Sequence, residues 1–207
     1  LEGSAALDLD LLHGYRDGVV DKNARGIAHL LRKNGVDTVQ GRGRLHGPGR
    51  VEVVGPQGTA AYEASSVLLA TGSVPTQIPI APADGRAILT SDDALRMTRV
   101  PESIAILGGG AVGVEFASIY RSFGAEVSLI EMLPRLLPQE DEDVSAHLER
   151  ALRKRGIDMY LGTRLGAVER RQGGVSMRLE GEKEHSILEA SCILVAVGRT
   201  PVVQDLG

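Results

Sequence analysis

The stretch that decides the fold is residues 103–131, SIAILGGGAVGVEFASIYRSFGAEVSLIE. Four consecutive apolar residues, Ile104–Leu107, predict a buried strand that ends where the glycines begin. The pattern then predicts a helix over residues 111–123, with Gly124 as its C-terminal cap. A second apolar strand ends at Glu131. This order of strand, glycine turn, helix and strand predicts an α/β domain with a parallel sheet.

The glycines of this stretch have the spacing G-x-G-x-x-G, with Gly108, Gly110 and Gly113 at the fixed positions. Gly108 permits a tight turn, Gly110 lets a pyrophosphate approach the backbone, and Gly113 lets the helix and the strand pack closely. The free N–H groups at the start of the helix, which is the positive end of its dipole, hold phosphate oxygens. The stretch therefore predicts a dinucleotide site. A purely structural turn is the alternative, because ordinary glycine-rich turns also match this spacing.

Glu131 lies 18 positions after Gly113, at the end of the second strand. An acid about 20 residues after the glycines accepts a hydrogen bond from the ribose 2′-hydroxyl of a bound dinucleotide. Because a carboxylate repels a 2′-phosphate, Glu131 favours NAD over NADP. Arg135 follows in a proline-bounded loop and weakens this argument only slightly.

Composition and charge exclude several classes of protein. The 207 residues carry a net charge of −4, so they present no basic footprint for nucleic acid. No apolar run approaches the roughly 20 residues that cross a membrane, and no signal peptide opens the sequence. The single cysteine, Cys192, lies in an apolar run and is interpreted as a buried structural thiol rather than a reactive one. The five histidines have no ligand spacing, so no metal site is predicted.

The first third of the chain reads as one helix followed by strands. Residues 8–34 carry apolar side chains at helical spacing. Residues 36–45, 50–54 and 59–64 predict strands, separated by Gly-Pro turns. The fully apolar run Val67–Ala70 predicts a central strand.

The proline-containing segment 74–101 is the predicted domain boundary, with a short helix over residues 91–97. After the glycine-rich stretch, residues 140–155 predict a helix that is acidic at its start and basic at its end, which complements its dipole. The remaining predicted strands are residues 158–161, 168–171, 175–179, 185–188 and 193–197.

Four motifs in this order resemble the flavin-dependent pyridine nucleotide–disulfide oxidoreductases, and the likeness covers nearly the whole chain. The motifs are LLATGS (68–73), ILGGGAVGVEFAS (106–118), EMLPRLLPQEDEDVS (131–145) and LVAVGRTP (194–201). The resemblance implies a Rossmann-like NAD-binding domain with a parallel sheet, inserted in part of a second, FAD-binding α/β domain. On this basis residues 1–74 form the partial FAD-binding domain, residues 75–197 the NAD-binding domain, and residues 198–207 the return into the FAD-binding domain.

The resemblance also implies roles for individual residues. Glu115 matches the family's glutamate beside the nicotinamide, although its position alone indicates only an acid on the surface of a helix. Gly43 is matched to FAD, with an ordinary turn glycine as an equal alternative. The implied NAD-binding residues are Gly108, Gly109, Gly110, Ala111, Val112, Gly113, Glu131, Leu165, Ala196, Gly198 and Arg199. The implied FAD-binding residues are Gly43, Thr71 and Gly72.

The resemblance is greatest to the branch of the family that oxidises dihydrolipoamide through a redox disulfide and FAD and reduces NAD⁺. It implies the cofactors NAD and FAD, the lipoyl group of an E2 acyltransferase as partner, a homodimer and a cytoplasmic location. The family's FAD fingerprint, redox cysteine pair and acid–base His–Glu pair are not in this sequence, which begins with Leu1. We therefore expect the central part of a longer protein, which alone binds NAD weakly and catalyses nothing.

Two alternatives remain open at this point. Another member of the family, such as a soluble transhydrogenase, a mercuric reductase or a glutathione-reductase-like enzyme, would share the motifs but differ in substrate. A stand-alone nucleotide-binding or redox-sensing module would have no catalytic disulfide. The first 72 residues argue against such a module, because half of a sheet domain exposes apolar edges.

Overall fold

A computed structural model describes residues 6–181 and 185–207, and it divides the chain into two compact units. The smaller unit contains Asp10–Val74 and Pro201–Gly207. The larger unit contains Pro75–Thr200, together with residues 6–9.

The smaller unit combines one long helix with an antiparallel sheet. Its elements are α1 (Leu9–Lys33), β1 (Arg42–Leu45), β2 (Arg50–Gly55) and β3 (Gly58–Glu63). The helix confirms the prediction for residues 8–34, and the sheet has the order β1-β2-β3. The last residues of the chain lie against β1, where the Leu45 N–H donates to the carbonyl oxygen of Leu206 at 2.5 Å.

Two strand predictions in this unit were wrong. Residues 36–41 are not strand, so only the second half of the predicted strand 36–45 forms. The run Val67–Ala70 is not a strand either, and Leu68 is 90% exposed. The physical reason is that a strand requires a neighbour to satisfy its backbone hydrogen bonds, and among the described residues none runs beside this segment. Apolar composition alone does not supply that neighbour.

The larger unit contains a parallel sheet, as predicted, and this sheet has five strands. Its elements in chain order, after β4 (Ser73–Pro75), are β5 (Ile88–Leu89), α2 (Ser91–Ala94), β6 (Ser103–Leu107), α3 (Ala111–Ser122), β7 (Glu126–Ile130), α4 (Glu142–Lys154) and β8 (Ile157–Tyr160). The later elements are β9 (Arg164–Arg171), β10 (Gly174–Glu180), β11 (His185–Ala190), β12 (Cys192–Val195) and β13 (Arg199–Pro201). The sheet order is β5-β12-β6-β7-β8, so β6 occupies its centre. Strands β4 and β13, each of which includes residues of both units, pair as a separate two-stranded sheet.

The parallel sheet is covered on both faces, which explains its nearly continuous apolar strands. On one face, Val114, Ala117 and Tyr120 of α3 and Leu152 of α4 pack into the first cluster of buried residues. On the other face the antiparallel sheet β11-β10-β9 packs against it through the second cluster. The second cluster includes Leu107, Ile130, Val175, Met177, Leu179 and Ile193. The α/β fold predicted from the sequence is confirmed.

The helix ends follow local chemistry. Helix α3 ends before Gly124, whose φ of +96° is the left-handed conformation expected of a C-terminal glycine. Helix α4 begins two residues later than predicted, because the Asp141 side chain accepts a hydrogen bond from the Asp143 N–H and so acts as the N-cap. Among the described residues, no helix has both the length and the apolar character needed to cross a bilayer.

Candidate functional site

The glycine turn between β6 and α3 has the geometry that its sequence predicts. Gly108 has φ +115°, and its N–H donates to the carbonyl oxygen of Ile130 at 2.8 Å. A Cβ on Gly108 would overlap the carbonyl oxygen of Ala196, and a Cβ on Gly113 would overlap that of Gly108. Both positions therefore require glycine, because the turn and the close packing of helix on strand leave no room for a side chain.

The space above Gly110 is open. A Cβ placed on Gly110 would meet no other atom within 4 Å, and its φ of −74° is one that any residue adopts. Gly110 is the N-cap of α3, and no side chain makes a capping hydrogen bond there. The first N–H groups of α3 consequently have no side-chain partner at the cap, and they can hold an anionic group that approaches over Gly110.

Glu131 lies at the carboxyl end of β7, beside this turn, and is only 9% exposed. Its Oε2 accepts a hydrogen bond from the Gly109 N–H at 2.6 Å, and its Oε1 accepts one from the Leu133 N–H at 2.8 Å. Its backbone continues the sheet, since its N–H donates to the Tyr160 carbonyl oxygen at 2.9 Å. A carboxylate has about four lone-pair positions, so these two bonds leave capacity for a ribose hydroxyl.

The loop after Glu131 is held against the glycine turn. The Leu137 N–H donates to the carbonyl oxygen of Gly109 at 2.9 Å, and Leu137 has the unusual φ of +45°. Arg135 donates to the carbonyl oxygens of Pro138 and Glu140 at 2.9 and 3.1 Å. Its guanidinium therefore stabilises the loop, and Arg135 is not among the residues that line the neighbouring cleft.

This cleft has a volume of about 590 Å³ and runs along the carboxyl ends of β6, β7 and β12. Its volume is typical of small-molecule and cofactor sites. The predicted site residues in its lining are Gly108, Gly110, Ala111, Val112, Glu131, Leu165, Ala196 and Gly198. The structure thus brings together eight predicted residues from several different elements.

Three predicted NAD-binding residues lie outside the lining. Gly109 and Gly113 are behind the surface of the turn, where a Cβ on Gly109 would lie 2.8 Å from Leu136. Arg199 is exposed at the start of β13. Gly198, next to it, is held by a hydrogen bond from the Thr76 N–H to its carbonyl oxygen at 3.0 Å.

Glu115 does not line the cleft. It is exposed on α3 and borders a groove between α3 and α4, beside Ile119, Leu148 and Arg155. Within the larger unit, this predicted catalytic residue therefore lies outside the cleft.

The predicted FAD-binding residues lie in the smaller unit, with Gly43 on β1 and with Thr71 and Gly72 in the segment directly before β4. The Thr71 hydroxyl donates to the carbonyl oxygen of Val202 at 2.6 Å, and the Val202 N–H donates to the carbonyl oxygen of Gly72 at 3.0 Å. Gly43 is on β1 opposite Val53. A Cβ on Gly43 would make only an ordinary contact, at 3.7 Å, so the strand itself does not require glycine there.

Sequence reasoning missed much of the apolar and polar lining of the cleft. The missed residues are Ile78, Ile80, Leu107, Ile130, Met132, Leu133, Pro138, Thr163 and Arg164. Thr163 and Arg164 directly precede Leu165, which was predicted as a site residue. The start of the strand that contains Leu165 could therefore have identified these two residues. Ile78 and Ile80 lie in the segment interpreted as a domain boundary, and no motif marks them.

The single cysteine is buried, as predicted. Cys192 is 2% exposed in the parallel sheet. Burial raises the pKa of its thiol to about 12, although the charge of Arg99 acts in the opposite direction. A thiol with this pKa is protonated near neutral pH and is a poor nucleophile. Among residues 6–181 and 185–207, no group of three or more His, Cys, Asp or Glu side chains is placed to hold a metal ion.

The parallel sheet, the glycine turn and the acid at the adjacent strand end define a dinucleotide-binding α/β domain. The family model described as pyridine nucleotide-disulphide oxidoreductase matches residues 2–206, and the chain belongs to this family. The family assignment made from the four motifs is confirmed. FAD and NAD are the cofactors of this family and of its lipoamide dehydrogenase members.

Curated relatives carry one recurring name. The dihydrolipoyl dehydrogenase of Chlorobaculum tepidum is 39% identical over 99% of this chain and 44% of its own length. The dihydrolipoyl dehydrogenases of Thermus scotoductus and Bacillus subtilis are 39% and 33% identical, each over 44% of its own length. The chain therefore spans about 44% of the length of these relatives.

Solved structures of two proteins also resemble this chain over nearly its whole length. The crystal structure of LpdA from Mycobacterium tuberculosis matches 99% of this chain with a TM-score of 0.87 at 28% identity, over 46% of that protein. The Cu(II) complex of the HOCl-induced flavoprotein disulfide reductase RclA from Escherichia coli matches 94% of this chain, over 44% of that protein. Its TM-score is 0.77 at 25% identity.

Proposed function

We propose that the larger unit binds NAD in the cleft at the carboxyl ends of β6, β7 and β12. The observation that carries this proposal is the uncapped start of α3 beneath the open space at Gly110, with the Glu131 carboxylate beside it. The backbone N–H groups of Ala111 and Val112 hold the pyrophosphate, and Glu131 accepts a ribose hydroxyl. Both groups are already held in place, because the space at Gly110 is open and the Glu131 carboxylate accepts two backbone hydrogen bonds.

The other lining residues complete the site. Leu165 packs against the adenine, and Ala196 with Gly198 closes the cleft over the dinucleotide, near Arg199. Glu131 excludes a 2′-phosphate by charge repulsion, and the nearby Arg135 guanidinium is already bonded to backbone carbonyls, so NAD is preferred over NADP. When bound, the nicotinamide ring accepts or donates a hydride. The chain's own contribution is to bind and orient it.

We further propose that this chain is the central part of a dihydrolipoyl dehydrogenase. The relatives of that name, each more than twice its length, support this proposal. In the whole protein, dihydrolipoamide would reduce a redox disulfide by thiol–disulfide exchange, and FAD would carry the two electrons of the resulting dithiol to NAD⁺. The partner is the lipoyl group of an E2 acyltransferase, and the protein is a cytoplasmic homodimer.

In this proposal, residues 75–197 are the NAD-binding domain, and residues 1–74 and 198–207 belong to an FAD-binding domain. Gly43, Thr71 and Gly72 approach the FAD. Glu115, which is exposed on α3, supports the nicotinamide side in the whole protein. The apolar run Val67–Ala70 becomes a strand once the remaining strands of that domain are beside it, which accounts for its present exposure.

The test is an equilibrium titration of the full chain with NADH and with NADPH, followed by nucleotide fluorescence. Saturable NADH binding, with NADPH binding at least about tenfold weaker, supports the proposal. Absence of NADH binding, or a preference for NADPH, overturns it. An assay with dihydrolipoamide and NAD⁺ tests the second part: we expect no turnover from this chain and turnover from the longer protein that contains it.

A further inference from the structure

One carboxylate outside the cleft gathers four hydrogen bonds. Oδ1 of Asp84 accepts from the backbone N–H groups of Arg86, Ala87 and Ile88 at 2.9, 2.9 and 3.0 Å. Oδ2 of Asp84 accepts from Nε of Arg170 at 2.7 Å. The backbone also folds back on itself, because the Asp84 N–H donates to the carbonyl oxygen of Ile88 at 2.9 Å.

These bonds keep Asp84 ionised. Partial burial raises the pKa of this carboxyl, but the hydrogen bonds from Ile88, Arg170, Arg86 and Ala87 outweigh it and hold the pKa well below its ordinary value. The ion pair with Arg170 therefore persists near neutral pH. The side chains of Asp84 and Arg170 are 27% and 54% exposed, so both members of the pair are partly screened by solvent.

The pair joins two segments that each contribute to the cleft. Arg170 lies near the end of β9, whose first residues, Arg164 and Leu165, line the cleft. Asp84 follows the segment that contains Ile78 and Ile80, which also line it. Nη2 of Arg170 makes a second, longer bond to the carbonyl oxygen of Pro82 at 3.4 Å. Arg170 therefore holds this segment at two points.

Core packing fixes the same segment between these points and the cleft. Ala81 is 1% exposed in the second cluster, and its N–H donates to the carbonyl oxygen of Ile78 at 3.2 Å. Ile78 packs against the same cluster. A displacement at Asp84 is thus transmitted over a few residues to Ile78 and Ile80, because the turn between them is closed and packed.

We propose that Asp84 and Arg170 are a positioning pair for the nucleotide cleft. By tying the segment of Ile78 and Ile80 to β9, the pair sets the separation of two walls between which an apolar face of the dinucleotide is held. Neither residue touches the nucleotide. This inference rests on the proposed NAD binding, and it adds two residues that lie outside the lining of the cleft.

The experiment measures the dissociation constant of NADH for the full chain and for Asp84→Asn, Arg170→Gln, the double variant and Arg170→Lys. Asp84→Asn keeps an acceptor for the three backbone N–H groups, but it places an NH2 donor where Oδ2 accepts from Arg170, so it removes the charge and the hydrogen bond to Arg170. Glu149→Gln is the matched control, since Glu149 pairs with Arg153 on α4 at 2.9 Å, away from the cleft. All titrations are made well below each variant's unfolding temperature.

We expect each single variant to weaken NADH binding about fivefold, and the double variant to be no weaker than either, because the two residues act as a unit. Arg170→Lys restores most of the affinity, and Glu149→Gln leaves it unchanged. If the melting temperature falls in both single variants while the dissociation constant stays within about twofold, the pair only stabilises the fold and the proposal is wrong. If the unsubstituted chain does not bind NADH, the proposed function is wrong, and this inference, which depends on it, is wrong as well.

Discussion

The Glu131 carboxylate accepts a hydrogen bond from the Gly109 N–H at 2.6 Å, so the acid at the end of β7 is attached to the glycine turn that follows β6. The acid and the turn are usually considered as two separate contacts with a dinucleotide. In this protein the acid also fixes the turn. The same carboxylate anchors the following loop through the Leu133 N–H.

The first prediction separates these two roles of Glu131. Glu131→Gln should weaken NADH binding about tenfold, since a charged hydrogen-bond acceptor is lost both for the ribose and for one backbone N–H. An NADH analogue that lacks both adenosine ribose hydroxyls should also bind the variant about threefold more weakly than it binds the unsubstituted chain. Isothermal titration measures both. Equal binding of the analogue to both proteins would mean that Glu131 acts only through the ribose.

The second prediction contrasts two glycines of the same turn. Gly110→Ala should lower the melting temperature by no more than about 3 °C, because its methyl group enters open space and only the N-cap preference is lost. It should nevertheless weaken NADH binding at least about tenfold, because the methyl group occupies the path of the pyrophosphate.

Gly113→Ala should behave in the opposite way. Its methyl group would overlap the carbonyl oxygen of Gly108, which costs about 2–3 kcal/mol and lowers the melting temperature by roughly 5–10 °C. Thermal unfolding by circular dichroism measures the stability of both variants. An equal loss of stability in the two would contradict the difference between the open space at Gly110 and the close contact at Gly113.

The third prediction concerns stability against pH. The pKa of Asp84 is lowered on folding from an ordinary value of 3.8. A lowered pKa gives stability that is fully present above the unfolded value and is lost as the pH falls toward the folded value. The difference in unfolding free energy between the unsubstituted chain and Asp84→Asn should therefore be constant from neutral pH down to about 5 and shrink below 3.8.

Urea unfolding at several pH values tests this prediction. Asp92→Asn, at an exposed position on α2, is the control. It should show no comparable loss of stability at neutral pH. A difference for Asp84→Asn that instead grows toward acid pH would mean that folding raises the pKa of Asp84 rather than lowering it.

The fourth prediction concerns Cys192. Because the thiol is buried with its pKa raised to about 12, it should react with a thiol reagent at neutral pH at least about a hundredfold more slowly in the folded chain than in urea. The absorbance of the released chromophore measures both rates. Rapid reaction of the folded chain would indicate that β12 opens readily, since the thiol itself is inaccessible in the closed sheet.

The sequence alone determined the core of the larger unit. The apolar strands and the positions of Gly108 and Gly113 follow from local requirements: strand burial, a tight turn and close packing. The acid at residue 131 follows from its position directly after the apolar strand. These requirements act over a few residues, so they leave a readable pattern. Four ordered motifs were sufficient for the family and the α/β fold.

Only the tertiary structure decided which residues surround the cleft. Ile78 and Ile80 come from a segment without a motif, and Ile78 reaches the site because it packs against the second cluster. Thr163 reaches it because β8 pairs with β7, and the Thr163 N–H then donates to the Glu131 carbonyl oxygen at 2.9 Å. Such contacts join residues that are far apart in the chain, so no local sequence pattern predicts them.

Glu115 and the run Val67–Ala70 are the converse case, in which local sequence suggests a placement or a strand that the structure does not show. Glu115 follows the glycines closely in sequence, yet it lies about one helical turn beyond Ala111 and Val112, which line the cleft, and it borders the separate groove between α3 and α4. The composition of Val67–Ala70 favours a strand, but a strand exists only where another strand satisfies its backbone hydrogen bonds. Local sequence sets the preference of a segment, and only its neighbours in space decide whether that preference is realised.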